Sequence, residues 1–246
     1  MYLNSSKKKM IEPISIILLT FNRLRLSKKT IDSLYERIKT PFKLIIVDNA
    51  SQDETREYLI KLSKEKGNIK LILLDKPLNI CMAYNKGFEQ VESELFITMQ
   101  DDIIVPDLEP DVVQQLISLM NKYPDHGGIA CRIQHIPNIK WLEGDLTPGR
   151  KALSAYFRIQ KKEDIIKMGG FGDRSWDDME FMKRMRDGIN KKCSWANNLW
   201  CNHTGHSPDR GYNKFQRPWG MRIVGSNAIT ALRKYPEVDL KTNIPI

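Results

Sequence analysis

Four short apolar runs alternate with four helical patterns over residues 13–123, and this alternation restricts the chain to few folds. The apolar runs have the length of strands buried on both faces, and they cover residues 13–20, 43–47, 69–74 and 95–99. The helical patterns lie at 24–38, in the segment that ends at Gly67, at 79–91 and at 112–123. Strands that alternate with helices predict βαβ units, and therefore an α/β fold with a mostly parallel central sheet flanked by helices.

The chain beyond residue 123 has a less regular pattern. It predicts strands at 129–135, 152–159 and 192–195, and helices at 161–168 and 176–186. Prolines and glycines punctuate residues 137–150, so we expect a loop there. After Asn202 the chain is rich in Gly, Pro, Asn and Arg, which predicts an irregular C-terminal segment.

The positive charge is concentrated in that C-terminal part. The net charge of +9 comes from 39 basic and 30 acidic residues among 246. Residues 183–246 hold 12 basic and 4 acidic residues, so they carry +8 of the total. Such a segment can attract nucleic acid, anionic lipid or a phosphate-bearing ligand, and composition does not choose among them.

Composition also predicts the cellular location of the protein. Hydrophobic residues make up 41% of it, enough for a core, yet no apolar run approaches the roughly 20 residues that cross a bilayer. The lysines at 7–9 are not followed by the apolar stretch of a signal peptide. Four cysteines lie scattered without CxxC spacing, typical of reduced thiols. We therefore expect a cytoplasmic protein.

Acidic residues follow two of the predicted strands. Asp101 and Asp102 come directly after the fourth strand, and adjacent carboxylates at a sheet edge favour Mg²⁺ or Mn²⁺ bridging a diphosphate. The alternative is a simple cap for residues 103–110. Asp48 ends the second strand. We expect Ser51 and Glu54 to form a capping box for the next helix, which leaves Asp48 free to accept from a nucleobase.

Two further groups are candidates for chemistry. Asp177 and Asp178 open a predicted helix, where a carboxylate facing a cleft can act as a general base, although capping is the ordinary role of such acids. His203 and His206 lie three residues apart in a polar segment, where imidazoles can bind a divalent ion or remain unliganded.

Taken in order, several segments resemble family 2 glycosyltransferases, which have the GT-A fold. The resemblance rests on residues 14–23 (ISIILLTFNR), 44–51 (LIIVDNAS), 78–87 (LNICMAYNKG), 96–106 (FITMQDDIIVP), 158–171, 176–181 (WDDMEF) and 202–207 (NHTGHS). It spans roughly residues 13–210. Each motif alone is weak, but the ordered set is fairly specific.

The resemblance implies an inverting transfer of a sugar from a nucleotide-diphosphate sugar to an acceptor hydroxyl. It implies Asp178 as the general base with Asp177 as the alternate, and a divalent ion, Mn²⁺ or Mg²⁺, held by Asp102 and His203. The nucleotide sugar, for which we favour a UDP-sugar, would be held by residues of the same edge: Thr20, Asn22, Arg23, Asp48, Asn79, Lys86, Gln100 and Asp101. Arg210 would also reach phosphate, and loop 204–217 would cover the donor.

This chain departs from the family pattern at three positions. Gln100 stands where the metal motif has its first acid, which leaves Asp102 as the expected ligand and Asp101 as the runner-up. Cys81 replaces a usual glycine or other small residue. Asp177 replaces the usual glutamate of the base motif and is one methylene shorter.

The resemblance also implies a domain organisation and partners. We expect an extension at 1–12, a catalytic domain at 13–210 with a nucleotide half (13–106) and an acceptor half (107–210), and a basic segment at 211–246. The acceptor would be a glycan, a lipid-linked glycan or a protein, and not nucleic acid. Aromatic and basic residues interleave at 214–223, which leaves peripheral contact with an anionic membrane open.

Two rival functions stay open at this point. A nucleotidyltransferase also combines carboxylates, a divalent ion and an α/β sheet, but the segment after the first strand here has no glycine-rich basic loop. A non-enzymatic module that binds anionic ligands would use the basic C-terminus, and it would leave the spacing of Asp48, Asp102 and Asp178 unexplained.

Overall fold

The computed structural model of the chain describes residues 12–134, 142–149, 153, 156–173, 177–204, 238–239 and 244–245. In the first half, strands and helices alternate as the sequence predicts, with bounds that differ by one to three residues. They are β1 (Ile14–Thr20), α1 (Leu24–Arg37), β2 (Phe42–Asp48), α2 (Thr55–Glu65), β3 (Ile69–Leu73), α3 (Ile80–Phe88) and β4 (Leu95–Gln100).

The second half adds shorter and more varied elements. They are β5 (Ile103–Ile104), α4 (Val112–Lys122), β6 (His126–Gln134), β7 (Leu146–Pro148), β8 (Phe157–Lys161), α5 (Lys162–Lys167), α6 (Asp177–Lys183) and β9 (Lys192–His203). A π-helical turn, Arg184–Gly188, continues α6, and a separate ribbon pairs β10 (Val238–Asp239) with β11 (Ile244–Pro245).

The central sheet has the order β3-β2-β1-β4-β8-β6-β9-β5, with β7 paired to β9. Strands β3, β2, β1 and β4 are parallel, and so are β6 and β9. Strand β8 runs antiparallel between β4 and β6, and joins the two parallel groups. The predicted mostly parallel sheet is therefore confirmed, and its antiparallel pairings, those of β8 among them, make it a mixed sheet.

Three predictions for the second half need correction. The strand expected at 192–195 extends to His203, and residues 146–148 of the expected loop form β7. The strand expected at 152–159 begins only at Phe157. Asn197 lies within β9, and this polar residue interrupts the hydrophobic pattern by which the strand could be predicted. Its buried amide is satisfied because Nδ2 donates to the carbonyls of Glu143 and Gly144 at 2.7 and 3.1 Å.

Two apolar layers cover the sheet. One contains α1 and α4 residues such as Ile31, Leu34 and Leu116, and the other contains α3 and α6 residues such as Tyr84 and Phe181. Burial of an aliphatic or aromatic side chain contributes about 1.5–3 kcal/mol, so these layers fix the helices against the sheet. No helix in the described part of the chain has the length and apolar character needed to span a bilayer.

Candidate functional site

The candidate site lies where the parallel strands end at one edge of the sheet. Thr20 is the register partner of Asp48, and Leu19 is the partner of Gln100, so β1, β2 and β4 finish side by side. Residues that follow these strands meet at this edge for the same reason. The structure therefore brings Thr20, Asp48 and the Asp101–Asp102 pair into neighbouring positions.

Asp101 is buried and uses both carboxylate oxygens. Thr20 Oγ1 donates to Oδ2 at 2.8 Å, Ser27 Oγ donates to the same oxygen at 3.2 Å, and Arg23 Nη1 donates to Oδ1 at 2.9 Å. Burial raises the pKa of Asp101, and the Arg23 charge opposes that rise. Because its oxygens are occupied, Asp101 serves as an anchor for Arg23 and the end of β1.

Asp102 is equally buried but keeps one oxygen available. Its Oδ2 lies 3.1 Å from Arg23 Nη2 and 3.2 Å from His203 Nε2. Its Oδ1 is buried and has no hydrogen-bond partner among the residues that the structure describes. Burial acts to raise the pKa of Asp102, but the Arg23 charge and the His203 hydrogen bond outweigh it and bring the pKa to about 2. The carboxylate is therefore ionised at neutral pH.

The unexpected length of β9 explains why His203 reaches Asp102. Ile103 pairs with His203 across β5 and β9, and the Thr204 amide donates to the Asp102 carbonyl at 2.9 Å. A strand of four residues would end well before this point. His203, predicted as a metal ligand, thus lies beside the predicted ligand Asp102.

Tyr156 is a site residue that the sequence did not reveal. Its ring centroid lies 4.6 Å from that of His203, and its carbonyl accepts from the Gln100 amide at 3.3 Å. Burial, together with the charges of Asp178 and Asp102, raises its pKa to about 12. The phenol is therefore neutral, and it lies within electrostatic reach of both acids.

The place of Tyr156 at the site could not be predicted from the sequence because β8 runs in the opposite direction to β4. The sequence pattern predicts site residues after strands, because parallel strands reach the functional edge at their carboxyl ends. Strand β8 is antiparallel, so the residue that precedes it lies at that edge. The signal that could have found Tyr156 is an aromatic residue immediately before a strand that pairs with the acidic strand.

Asp178 lies in the first turn of α6, within electrostatic reach of Tyr156. It is half-buried, and its carbonyl accepts from the Leu153 amide at 3.4 Å. The buried Arg158 supports this region, since Nη1 donates to the Leu153 carbonyl at 2.7 Å and the guanidinium lies 3.5 Å from the centre of the Phe181 ring. The side chain of Asp177, the alternate base, lies outside the described part of the chain.

Asp48 does not have the free carboxylate that the sequence predicted. It is fully buried, Arg56 Nε donates to its Oδ2 at 2.8 Å, and the Ser51 amide donates to its Oδ1 at 3.2 Å. The expected capping box is also wrong, because the N-cap of α2 is Glu54 and it makes no side-chain capping bond.

Ser51 and Asn22 instead join the two loops at the ends of β1 and β2. Ser51 Oγ accepts from the Asn22 amide at 2.9 Å, and Asn22 Oδ1 accepts from the Gln52 amide at 2.6 Å. The φ of Asn22 is +48°, a left-handed conformation that asparagine tolerates better than most residues. Asn22 thus shapes the floor of the predicted nucleotide site.

Asn79 and Lys86, both predicted to touch the nucleotide, lie at opposite ends of α3. Asn79 caps the helix by accepting from the Met82 amide at 2.9 Å, and its Nδ2 donates to the Asp173 carbonyl at 2.7 Å. Lys86 lies seven residues further, about 10 Å along the helix axis, and pairs with Glu89 at 2.8 Å. The structure therefore does not bring Lys86 to the site edge.

Several of the predicted site residues are not among those that the structure describes. His206, Arg210 and all but Thr204 of the expected covering loop 204–217 lie outside the described residues, as do the aromatic and basic residues at 214–223. Across the described ranges, no cluster of three or more His, Cys, Asp or Glu side chains could hold a metal ion. Asp102 and His203 are a pair of candidate metal ligands, which together offer carboxylate oxygens and one imidazole nitrogen.

Comparison with known proteins identifies the family. A model of the glycosyl transferase family 2 domain matches residues 15–184, which include β1 apart from Ile14, the acidic pair and α6. The chain belongs to glycosyl transferase family 2. This membership favours the glycosyltransferase prediction over a nucleotidyltransferase and over a non-enzymatic binding module.

Two curated relatives match part of this family 2 chain. An undecaprenyl-phosphate 4-deoxy-4-formamido-L-arabinose transferase of Yersinia enterocolitica is 27% identical over 122 residues, covering 46% of this chain and 35% of the relative. A dolichol-phosphate mannosyltransferase of Pyrococcus furiosus is 26% identical over 117 residues, covering 46% of this chain and 31% of the relative. The chain thus aligns with about a third of the length of each relative.

Solved structures show the same fold at low identity. The mannosyltransferase PcManGT from Pyrobaculum calidifontis, in complex with GDP-Man and Mn²⁺, matches with a TM-score of 0.66 and 15% identity, over 80% of this chain and 58% of that one. S. aureus TarS 1-349 in complex with UDP-GlcNAc matches with a TM-score of 0.63 and 15% identity, over 81% and 60%. The family 2 chain has the GT-A fold.

Proposed function

We propose that this chain is an inverting glycosyltransferase that moves a sugar from a nucleotide-diphosphate sugar to an acceptor hydroxyl. One observation carries the proposal. An ionised, buried Asp102 with an unpartnered oxygen lies beside His203, and Tyr156 lies within electrostatic reach of both Asp102 and Asp178. The proposed metal ligands and the proposed base thus both lie within reach of Tyr156, at one edge of a GT-A sheet.

Asp102 and His203 fit a divalent cation, Mn²⁺ or Mg²⁺. Carboxylate oxygens suit these hard ions, and a buried oxygen without a partner costs free energy until something binds it. Oxygens of the diphosphate and water would complete the coordination. When bound, the ion would stabilise the negative charge that grows on the departing diphosphate.

Asp178 is the proposed general base, with Asp177 as the alternate. An acceptor hydroxyl is a weak nucleophile near neutral pH, so Asp178 would take its proton while the oxygen bonds to the anomeric carbon. The bond from that carbon to the diphosphate breaks, and its electron pair leaves with the diphosphate. Attack from the face opposite the leaving group inverts the configuration.

The nucleotide would lie against the ends of β1 and β2. Asn49 shapes this region, since its Nδ2 donates to the Leu78 carbonyl at 2.9 Å and its Oδ1 accepts from the Leu78 amide at 2.8 Å. This arrangement supports a nucleotide half at 13–106 and an acceptor half at 107–210, which contains Asp178. The buried Asp48, paired with Arg56 at the end of β2, would support this part of the site rather than contact the base directly.

The similar proteins suggest which donors and acceptors should be tested as substrates. PcManGT is solved with GDP-Man and TarS with UDP-GlcNAc, so UDP- and GDP-linked sugars are both candidate donors. Two relatives are named for undecaprenyl phosphate and dolichol phosphate. A lipid-linked acceptor agrees with the +8 charge of residues 183–246, which would attract phosphate or an anionic membrane.

Replacing Asp102 tests the metal site. In thermal denaturation with UDP or GDP, wild type should be stabilised by nucleotide in the presence of Mn²⁺ and much less in its absence. Asp102→Ala should lose the Mn²⁺-dependent part because its carboxylate is the proposed ligand. Asp107→Ala removes an exposed acid nearby and should behave as wild type. Equal stabilisation of Asp102→Ala and wild type would contradict the proposal.

Replacing Asp178 tests the base. Asp178→Asn should lower transfer from UDP- and GDP-sugars to a panel of lipid-phosphate and glycan acceptors by about 10²–10⁴-fold, the usual contribution of a general base. Nucleotide binding with Mn²⁺ should persist. Asp187→Asn, which changes an exposed acid further along the same segment, is the control. Near-normal turnover of Asp178→Asn would assign the base to Asp177 or another group.

A further inference from the structure

Arg23 bridges the two carboxylates of the candidate metal site. Its Nη1 lies 2.9 Å from Asp101 Oδ1, and its Nη2 lies 3.1 Å from Asp102 Oδ2. The arginine side chain is 18% exposed, whereas those of the two aspartates are 5% and 4% exposed. Arg23 therefore supplies a positive charge to a pair of acids that would otherwise repel each other in a poorly solvated place.

The two ends of this bridge differ in what else holds them. Asp101 is fixed by the hydroxyls of Thr20 and Ser27, so the Nη1 contact has a rigid partner. Asp102 Oδ2 is shared between Arg23 Nη2 and His203 Nε2, and Oδ1 has no partner in the described structure. The Asp102 end of the bridge is therefore the end that can be exchanged.

A divalent ion between Asp102 and His203 would lie beside the Arg23 guanidinium. Both cations would share one carboxylate, and their repulsion would weaken metal binding to the protein alone. A nucleoside diphosphate brings negative oxygens to the same place. These oxygens can accept from Nη2 in the planar fork geometry that guanidinium offers.

We propose that Arg23 is a resident counter-ion that makes metal binding depend on the nucleotide. Without ligands, its charge offsets that of the two carboxylates. When nucleotide and metal bind together, its Nη2 leaves Asp102 and donates to the diphosphate instead. The Nη1 contact with Asp101 keeps the guanidinium in place during the exchange. This inference rests on the proposed function and adds a positive coupling between metal and nucleotide, which by linkage acts equally in both directions.

Mn²⁺ binding measures this coupling without any acceptor. Electron paramagnetic resonance of unbound Mn²⁺, with and without UDP or GDP, gives the Mn²⁺ affinity in each state. For wild type we expect nucleotide to strengthen Mn²⁺ binding by about tenfold or more, within the usual range of coupling between sites. For Arg23→Gln we expect Mn²⁺ alone to bind about tenfold more tightly than to wild type, and nucleotide to add about twofold or less.

Two further variants make the test specific. Arg25→Gln removes a guanidinium from an exposed position in the first turn of α1 and should retain the wild-type coupling. Arg23→Lys keeps the charge but loses the two-pronged geometry, so its coupling should fall between those of wild type and Arg23→Gln. Should Arg23→Gln fail to fold, Arg23→Lys carries the test through the same two titrations.

The outcomes separate this inference from the proposed function. If Arg23→Gln, or Arg23→Lys in its place, retains the wild-type coupling, Arg23 only holds the carboxylates and the inference is overturned while the proposed function stands. Weaker binding of Mn²⁺ alone to Arg23→Gln has the same meaning. If wild type binds Mn²⁺ neither alone nor with UDP or GDP, the metal-assisted function and the inference both fail.

Discussion

At the scale of single residues, Asp111 shows how much one buried carboxylate can organise. Its Oδ1 caps α4 by accepting from the Val113 and Gln114 amides at 2.9 and 3.0 Å. Its Oδ2 accepts from the Lys39 and Thr40 amides at 2.9 and 2.8 Å. The residue thus links the start of α4 to the connection between α1 and β2.

These amides make Asp111 a stability determinant that depends on pH. Burial acts to raise its pKa, but hydrogen bonds from Gln114, Thr40 and Lys39 outweigh it and lower the pKa. A carboxylate whose pKa is lower when folded contributes stability above its unfolded pKa, near 3.9. That contribution is lost as the pH falls through the folded value.

Asp111→Ala should therefore destabilise the protein by about 2–3 kcal/mol at pH 7, the sum of a lost cap and unsatisfied buried amides. Urea denaturation at pH 7 and at several pH values below 4 measures the difference from wild type. The difference should shrink as the pH falls below about 4. Asp107→Ala, four residues earlier and exposed, should change stability by less than about 0.5 kcal/mol. A pH-independent difference would exclude ionisation as its source.

Single residues also mark the limit of prediction from sequence. Asp102 and Asp178 are candidates from the sequence because carboxylates after a strand or at a helix start have a recognisable chemistry. Their hydrogen-bond partners could not be found in this way. Nothing local to Arg23 indicates that it bridges residues 101 and 102, and nothing local to Asp48 indicates its ion pair with Arg56.

At the scale of elements, α3 depends on one glycine for its contact with the sheet. A Cβ at Gly87 would lie 2.5 Å from Ile17 Cγ2 and 3.1 Å from Val47 Cγ2. Both neighbours are fully buried side chains of β1 and β2, so they have little room to move. Gly87 therefore sets how closely α3 packs, and α3 begins at the site edge with Asn79.

Gly87→Ala should destabilise the protein by about 1–3 kcal/mol, because overpacking outweighs the roughly 1 kcal/mol gained in helix propensity. Chemical denaturation measures the change. Gly67→Ala is the matched control, since a Cβ there would meet nothing within 4 Å, and it should be near neutral. A stabilised Gly87→Ala would mean that the sheet residues yield at little cost.

Elements also differ in how well a local pattern predicts them. Strands β1 and β2 are apolar along most of their length, so their approximate bounds follow from the hydrophobic pattern. Strand β9 is twelve residues long, but it includes Asn197 and Asn198, whose amides are satisfied by groups distant in sequence, among them carbonyls of the loop before β7. If polar residues are taken to indicate a loop, the predicted strand ends before Asn197. The position of His203 beside Asp102 then cannot be predicted.

At the scale of the whole molecule, the first half of the fold could be predicted because its strands follow one another in the same direction. The second half could not, because the reversed strand β8 enters between β4 and β6, and its partners lie about 60 positions away in β4 and about 30 positions away in β6. The candidate site draws on both halves. Asp101 and Asp102 come from the predictable half, whereas Tyr156, Asp178 and His203 come from the half that depends on long-range pairing.

The four cysteines, which the sequence indicated as reduced thiols, are all buried. Burial raises the pKa of Cys131 well above its usual range and that of Cys193 to about 12, so these thiols are both shielded and protonated at neutral pH. A cysteine introduced on the exposed surface would therefore react far faster than the native ones. A spectroscopic reporter can thus be attached to one introduced cysteine near the candidate site of the otherwise unaltered chain, and ligand binding can be followed in real time.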